Sequence, residues 1–289
     1  LQRAGCPHAR KALRCRGRTP PPTTPPAKRA LFFLRHALVL LGLASAAGLA
    51  PPACESGLAE RMHPKLYPNQ PPDERLAACK VWPAFPGRSI VVLPMPRETT
   101  DKGAKVFDLE LLLIQRPDNG NTDRDTVIGR IFLPEALDED ATTSIQEIRV
   151  DTSRYVLSPD TRAFGLRVRY RGNSPTSGPQ ASETVRLYVQ RGNKLQQVLQ
   201  EVELDHDNGG WDATCTGHFE KLRTMLSVAR TTSNGLADLQ LSRTLVQSRA
   251  QEQEDQGCVE KALPAKFSTV TLRYDGERFK VPKSLQQAP

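Results

Sequence analysis

Residues 164–170 read FGLRVRY, and residues 184–189 read TVRLYV. Apolar and polar residues alternate in both segments, so each places its apolar side chains on one face of an extended strand. Such alternation, with β-branched and aromatic residues, is typical of half-buried antiparallel strands. The turn sequence Arg191-Gly192-Asn193 follows the second segment and predicts a hairpin into a further strand over 194–199.

The same alternation recurs along the chain, whereas helical periodicity is sparse. The other segments with this pattern are 106–114, 126–132, 224–228, 236–241 and 269–274. Segments 184–195 and 269–279 also share a weak repeat, T-V-x-L-x-[VY] followed by G-x-[KR]-[LF]. We therefore predict an all-β, antiparallel, hairpin-built single domain that is either propeller-like or a twisted sandwich.

Composition divides the chain into five predicted segments. They are an Arg/Pro-rich disordered lead-in (1–29), a signal peptide (30–50), a Pro-rich extended arm (51–88), the β domain (89–283) and a tail (284–289). The lead-in has two interpretations that the residues leave open. It is either non-coding sequence translated ahead of the true start or an unusually long basic region of the signal peptide.

The signal peptide is predicted from a cationic stretch, Lys28 to His36, followed by the uncharged residues 37–50. Fourteen residues rise about 21 Å as a helix, which is less than the ~30 Å of a bilayer core. Ala44-Ser45-Ala46 fits the small-residue rule for cleavage after Ala46. We therefore expect a periplasmic or secreted protein. Lipidation of Cys54 is the alternative, and it would anchor the protein to the envelope membrane.

Four of the six cysteines lie after the predicted cleavage site: Cys54, Cys79, Cys215 and Cys258. An even number of cysteines in an exported chain predicts two disulfides. Local pairing favours Cys54–Cys79 and Cys215–Cys258. A zinc site is disfavoured, because the cysteines lack the Cys-x-x-Cys spacing of zinc ligands.

The net charge of +8 comes from the N-terminus alone. Residues 1–50 contain nine basic and no acidic residues, while the rest of the chain contains 31 basic and 32 acidic residues. The body of the protein therefore lacks the basic surface that tracks a phosphate backbone, and we expect no nucleic-acid partner.

The segment Asp205–Asp212, DHDNGGWD, concentrates carboxylates and glycines and is predicted to be a loop. Its candidate ligands for Ca²⁺ are Asp205, Asp207, Asn208 and Asp212. The alternative is a polar turn whose side chains bond their own backbone. The carboxylates of Asp205, Asp207 and Asp212 would also serve as catalytic groups in a glycan hydrolase.

A candidate anion-binding face follows from Arg167, Arg169 and Arg186, if the two strands that contain them point these side chains the same way. A solvated polar face is the alternative. The known short catalytic motifs are absent from the sequence, which favours a non-enzymatic function without excluding an enzyme.

The C-terminal pattern 234–239 (NGLADL) followed by 272–276 (LRYDG) resembles the closing hairpin of exported bacterial envelope proteins that carry a signal peptide and have no known function. Some of those proteins contain propeller-like repeats of the FG-GAP or VCBS type. The resemblance implies an exported β-protein. The calcium-binding carboxylates of such repeats are missing, because Thr231-Thr232-Ser233 precede Gly235.

Together these observations predict a non-enzymatic exported β-domain that binds a protein or an envelope polymer. An extracytoplasmic glycan hydrolase and a lipid-anchored structural protein are the alternatives. No cofactor is expected apart from the candidate Ca²⁺.

Overall fold

The computed structural model describes residues 57–97, 104–117, 124–174, 178–212, 214–253 and 257–285. These residues form twelve β-strands, one α-helix, α1 (Leu58–Leu66), and a short 3-10 helix at Lys283–Leu285. The strands are β1 (Ala78–Val81), β2 (Arg88–Pro96), β3 (Lys105–Gln115), β4 (Thr126–Glu139), β5 (Thr143–Ser158), β6 (Thr161–Ser174), β7 (Gly178–Arg191), β8 (Lys194–Trp211), β9 (Gly217–Ser233), β10 (Leu236–Gln253), β11 (Gly257–Ala262) and β12 (Lys266–Leu272). No helix in the described ranges has the length and hydropathy of a membrane span.

The strands form one connected sheet in the order β1-β2-β3-β4-β8-β7-β6-β5, and β9 branches from the far end of β8. Strand β10 pairs with β9 on one side and with β11 and β12 on the other. All these pairings are antiparallel except the contact of β4 with β8, which is one parallel bridge between Arg130 and Lys194 in the described residues. Most strands that are neighbours in the sheet are also consecutive in sequence, so most of the sheet is built from hairpins.

The sheet folds into layers because β5–β8 bury apolar side chains on both faces. On one face, Phe164 and Leu166 of β6 and Tyr188 of β7 pack against side chains of β2 and β3 such as Ile90 and Leu111. The alternation of residues 164–170 thus places their apolar face in this core, as the sequence predicts.

The opposite face of the same strands forms a second core. Val185 and Leu187 of β7 pack there with Leu239 of β10 and Leu272 of β12. The strands β5–β8 therefore lie between a layer of β1–β4 and a layer built around β10. The all-β, antiparallel, hairpin-built domain is confirmed, and its layers correspond to the sandwich form of the prediction.

The segment 57–88, predicted as an irregular extended arm, contains α1 and β1. Leu58 and Met62 of α1 pack against Leu112 and Ile114 of β3, which gives β3 a buried face on each side. Prolines dominate the sequence signal here, but Pro64 falls near the end of a nine-residue helix, where it interrupts little hydrogen bonding. Residues 51–56 of the predicted arm lie outside the described residues.

An ion pair with a buried carboxylate and a partly exposed arginine lies where the end of α1 meets the β1–β4 layer. Glu110 of β3 is completely buried, and it accepts hydrogen bonds from the Tyr67 hydroxyl at 2.6 Å and from Arg130 Nε at 2.8 Å. Burial and the neighbouring Glu110 raise the pKa of Tyr67 to about 12. The carboxylate thus exchanges water for two strong partners, which compensates for its burial.

The predicted disulfide Cys215–Cys258 is present. It joins the turn between β8 and β9 to the first residues of β11, so it closes the outer ends of two hairpins. The predicted partner of Cys79, Cys54, lies outside the described residues, and so does the predicted signal peptide.

We expect the double variant Cys215→Ser/Cys258→Ser to lose about 4 kcal/mol of unfolding free energy, because it removes a cross-link over 43 residues. Urea denaturation under oxidising conditions measures the loss. Equal stability of the variant and the wild type would show that the unfolded chain is already constrained without this bond.

His63 is a second determinant of stability, because it is buried in α1 and burial lowers its pKa below the ordinary value of 6.5. As the pH falls through 6.5, His63 binds a proton more readily in the unfolded chain than in the folded protein. This residue therefore destabilises the fold as the pH falls below 6.5. We expect His63→Phe to lose less unfolding free energy than wild type between pH 7.5 and pH 5.5. Exposed His218→Phe is the control and should follow the wild type.

Candidate functional site

The main cleft in the described residues lies where β4 and β8 separate. The two strands run parallel from the bridge at Arg130 and Lys194, and beyond it they share no further backbone pairs. A cleft of about 750 Å³ opens between the end of β4, the start of β5 and the face of β6–β8. Six carboxylates line it: Asp138, Asp140, Glu201, Glu203, Asp207 and Glu220.

A bulge in β4 turns one wall of the cleft inward. The register with β3 shifts between Leu133 and Leu137, and Glu135 between them has a positive φ of 50°. This conformation is unfavourable for a residue with a side chain, so contacts must hold it. Asp108 Oδ1 accepts the Glu135 N–H at 2.8 Å, and Arg97 binds the Glu135 carboxylate at 2.7 Å. Beyond the bulge, Asp138 lines the cleft.

The turn between β4 and β5 forms the rim of the cleft. Asp140 Oδ1 accepts the backbone N–H groups of Thr142 at 2.7 Å and Thr143 at 2.6 Å. These bonds lower the pKa of Asp140 and keep its carboxylate ionised. The rim is therefore rigid and negatively charged.

The floor of the cleft contains an ion pair between Arg186 of β7 and Glu201 of β8. The same guanidinium donates to the Ala136 carbonyl at 2.9 Å, so it ties the floor to the wall. Glu201 Oε1 is buried and has no hydrogen-bond partner among the described residues. Burial and the charge of Glu201 raise the pKa of Tyr170 beside it, so its phenol stays neutral.

His206 closes one end of the cleft between two carboxylates. Its Nδ1 lies 3.0 Å from Glu203 Oε2 on β8, and its Nε2 lies 3.0 Å from Glu220 Oε1 on β9. The hydrogen bond to Glu203 is the main cause that raises the pKa of His206, and burial opposes it. A hydrogen bond from Gln247 lowers the pKa of Glu220.

The lining of the cleft has an excess of negative charge. Arg186 compensates Glu201, and His206 lies between Glu203 and Glu220. Asp138 has no salt bridge to any residue in the described ranges. A concave surface lined by one sign of charge focuses its electric field and attracts ions of the opposite sign.

The segment Asp205–Asp212, predicted as a loop, is extended up to Trp211 and belongs to β8. Its glycines allow close backbone approach to β9, because a Cβ on Gly209 would lie 2.4 Å from the His218 carbonyl oxygen. Glycine within a strand can mark such a close backbone approach, whereas the sequence interpretation assigned these glycines to a turn, which explains the wrong loop prediction.

The candidate Ca²⁺ ligands are engaged separately. Arg223 binds both carboxylate oxygens of Asp207, at 3.0 and 2.9 Å. Asp212 Oδ1 accepts the backbone N–H groups of Thr214 and Thr216, which is the polar-turn alternative at this position. Asp205 Oδ1 accepts the Thr224 N–H, and Asn208 lines the cleft. No three His, Cys, Asp or Glu side chains in the described part of the chain are grouped to hold a metal ion.

The predicted arginine face is divided between two sides of the sheet. Arg186 pairs with Leu166 in the register and Arg167 pairs with Val185, so the two arginines point in opposite directions. Arg167 and Arg169 share one face, and both bind Glu183, at 2.7 and 3.3 Å. Their charge is therefore balanced internally, which corrects the prediction that these three arginines form one anion-binding face.

Sequence reasoning missed most of the cleft, because its residues come from six strands, β4 to β9. The signal that could have found part of it is the alternation of Glu201 and Glu203 with apolar residues in β8, which puts both carboxylates on one side. Comparison with known protein families, curated proteins and solved structures gives no match for this chain. The interpretation of the cleft therefore depends on its own geometry.

The ion pairs around Arg167 give a pH-dependent stability. Burial opposes the ionisation of Asp151, but hydrogen bonds from Ser153 and Arg167 lower its pKa to about 2. Its contribution is therefore complete above the ordinary pKa of 3.8 and is lost as the pH falls toward 2. We expect Asp151→Asn to cost about 2 kcal/mol of unfolding free energy at pH 7 and much less at pH 2.

Urea denaturation at both pH values measures this difference. Asp160→Asn, at an exposed carboxylate in the β5–β6 turn, is the control and should have no effect at either pH. An equal cost of Asp151→Asn at pH 7 and pH 2 would mean that its charge does not stabilise the fold.

Proposed function

We propose that this protein is a non-enzymatic exported β-domain that binds a cationic segment of a protein or envelope polymer in the acidic cleft. The excess of carboxylates in a cleft of about 750 Å³ is the observation that supports this function best. The volume is within the usual range of ~300–1,000 Å³ for ligand sites. A lysine or arginine side chain has the charge and the hydrogen-bond donors that these carboxylates require.

The local geometry indicates that the binding site is already formed before a ligand binds. The bulge at Glu135, the turn at Asp140 and the contact of Arg186 with Ala136 hold the walls in place without a ligand. A site that is already ordered loses little conformational entropy when it binds. The carboxylate of Asp138, which lines the cleft without a salt bridge in the described residues, is then available as an acceptor.

The glycan-hydrolase alternative has weaker support. Of the three carboxylates predicted for it, only Asp207 lines the cleft, and Arg223 binds both of its oxygens. Asp212 is held by its own turn. These three side chains therefore lack a common position from which an acid and a base would act on one glycosidic bond.

The exported location is part of the proposal. The disulfide Cys215–Cys258 supports an oxidising compartment, because such bonds are uncommon in a reducing cytosol. The proposal includes residence in the periplasm or secretion. The alternative is a protein that is anchored to the envelope through a lipidated Cys54. A lipid-anchored protein would present the same cleft to the same ligand.

We expect a capped tetralysine peptide to bind the cleft and a capped tetraglutamate peptide not to bind. Replacement Asp138→Asn should weaken tetralysine binding about fivefold, because one partly exposed ion pair contributes about 1 kcal/mol. Binding should also weaken as salt is added. Titration calorimetry at fixed ionic strength measures the affinity.

The matched control is Glu252→Gln, which removes one carboxylate from an exposed position on β10 outside the cleft. It should bind tetralysine as the wild type does. Equal effects of the two variants, or equal binding of the two peptides, would refute the proposal. Mass spectrometry of an envelope glycan incubated with the protein tests the alternative, since cleavage of its glycosidic bonds would indicate a glycan hydrolase.

A further inference from the structure

His206 occupies a position that a ligand cation would otherwise take. Both ring nitrogens lie 3.0 Å from carboxylate oxygens, one on β8 and one on β9. In the register His206 is opposite Ser182 of β7 and Leu222 of β9, so strands on both sides fix its backbone. The imidazole and its two carboxylates all line the cleft.

The arrangement requires a proton on the ring. A neutral imidazole has one donor and one acceptor nitrogen, so one of the two carboxylates would face a lone pair. The imidazolium donates to both Glu203 and Glu220. When the proton leaves, two carboxylates remain around an uncharged ring, and their mutual repulsion favours another cation between them.

Further charged groups lie in or beside the same cleft as His206. They are Asp207 with Arg223 on β8 and β9, Arg186 with Glu201 on β7 and β8, Asp138 and Asp140 on the β4–β5 wall, and Lys266 of β12 beside Glu220. Asp207 and Glu201 already have a cationic partner. The carboxylates around His206 therefore depend on its proton more than these two pairs do.

We propose that His206 is an internal cation that competes with the ligand for Glu203 and Glu220, so that binding of a cationic ligand releases a proton from the cleft. The inference rests on the proposed function and adds a pH dependence to it. The ligand class is a primary ammonium or a guanidinium, whose several donors bridge two carboxylates.

The direction of the effect follows from linkage. Protonated His206 adds a positive charge to the cleft and occupies two acceptors, so it weakens binding of a second cation. Binding therefore strengthens as the pH rises through the pKa of His206, which Glu203 raises above 6.5. By reciprocity, a bound cation lowers the pKa of His206.

Calorimetry with the capped tetralysine peptide tests this coupling, because its ammonium groups do not titrate between pH 5.5 and pH 8.5. We expect the affinity of the wild type to rise about fivefold across this range, which is the lower limit of usual coupling factors. Repetition in two buffers of different ionisation enthalpy counts the protons released. We expect the release of a fraction of one proton per peptide, with the largest release at pH values between the pKa of His206 in the bound protein and its pKa in the free protein.

Two variants separate His206 from other causes. His206→Gln should bind the peptide with the same affinity at pH 5.5 and pH 8.5 and should release no proton. The matched control is His218→Gln, because His218 is exposed on β9 outside the main cleft. It should retain both the pH dependence and the proton release of the wild type.

A measurement on the wild type makes the test independent of variant folding. Nuclear magnetic resonance of the His206 ring should show its pKa falling when the peptide is added. Unchanged pH dependence in His206→Gln, or an unchanged pKa in the wild type, would overturn the proton linkage alone. Absence of tetralysine binding at every pH would instead overturn the proposed function, and the linkage with it.

Discussion

Burial of the β5–β8 layer on both faces is the constraint on which the rest of the structure depends. Strand β7 shows it most directly, since Tyr188 packs toward β2 and β3 while Val185 and Leu187 pack toward β10 and β12. A strand with two apolar faces needs a layer on each side. The β1–β4 layer and the β10 layer supply this cover, and α1 in turn covers the outer face of β2 and β3.

The acidic cleft begins where this cover ends. Along one face of β7, the buried Tyr188 gives way to Arg186 at the boundary and then to Ser182 in the cleft. On the other face of β7 the change from apolar to charged side chains occurs at the same point along the strand, between Val185 and Glu183. Ion pairs lie at both boundaries. Contact with water costs less free energy for an ion pair than for an apolar side chain.

The two boundaries differ in charge balance. Glu183 is surrounded by Arg149, Arg167 and Arg169, so that side of the sheet holds its charges in internal pairs. On the cleft side the carboxylates outnumber the cations. The cleft side therefore has a negative electric field, and His206 is the histidine that lines it.

The sequence by itself determined the all-β class and most strand positions and favoured the Cys215–Cys258 pairing, because alternation, turn residues and cysteine spacing are local properties. The hairpin at Gly192 is an example, since its turn and both flanking strands are adjacent in the chain. Tertiary structure alone decided the cleft. Asp138, Glu201 and Glu220 lie on three different strands, and no local pattern indicates that β4 and β8 separate after one bridge. The direction of Arg186 relative to Arg167 likewise depended on the register between β6 and β7, which sets the face that each side chain occupies.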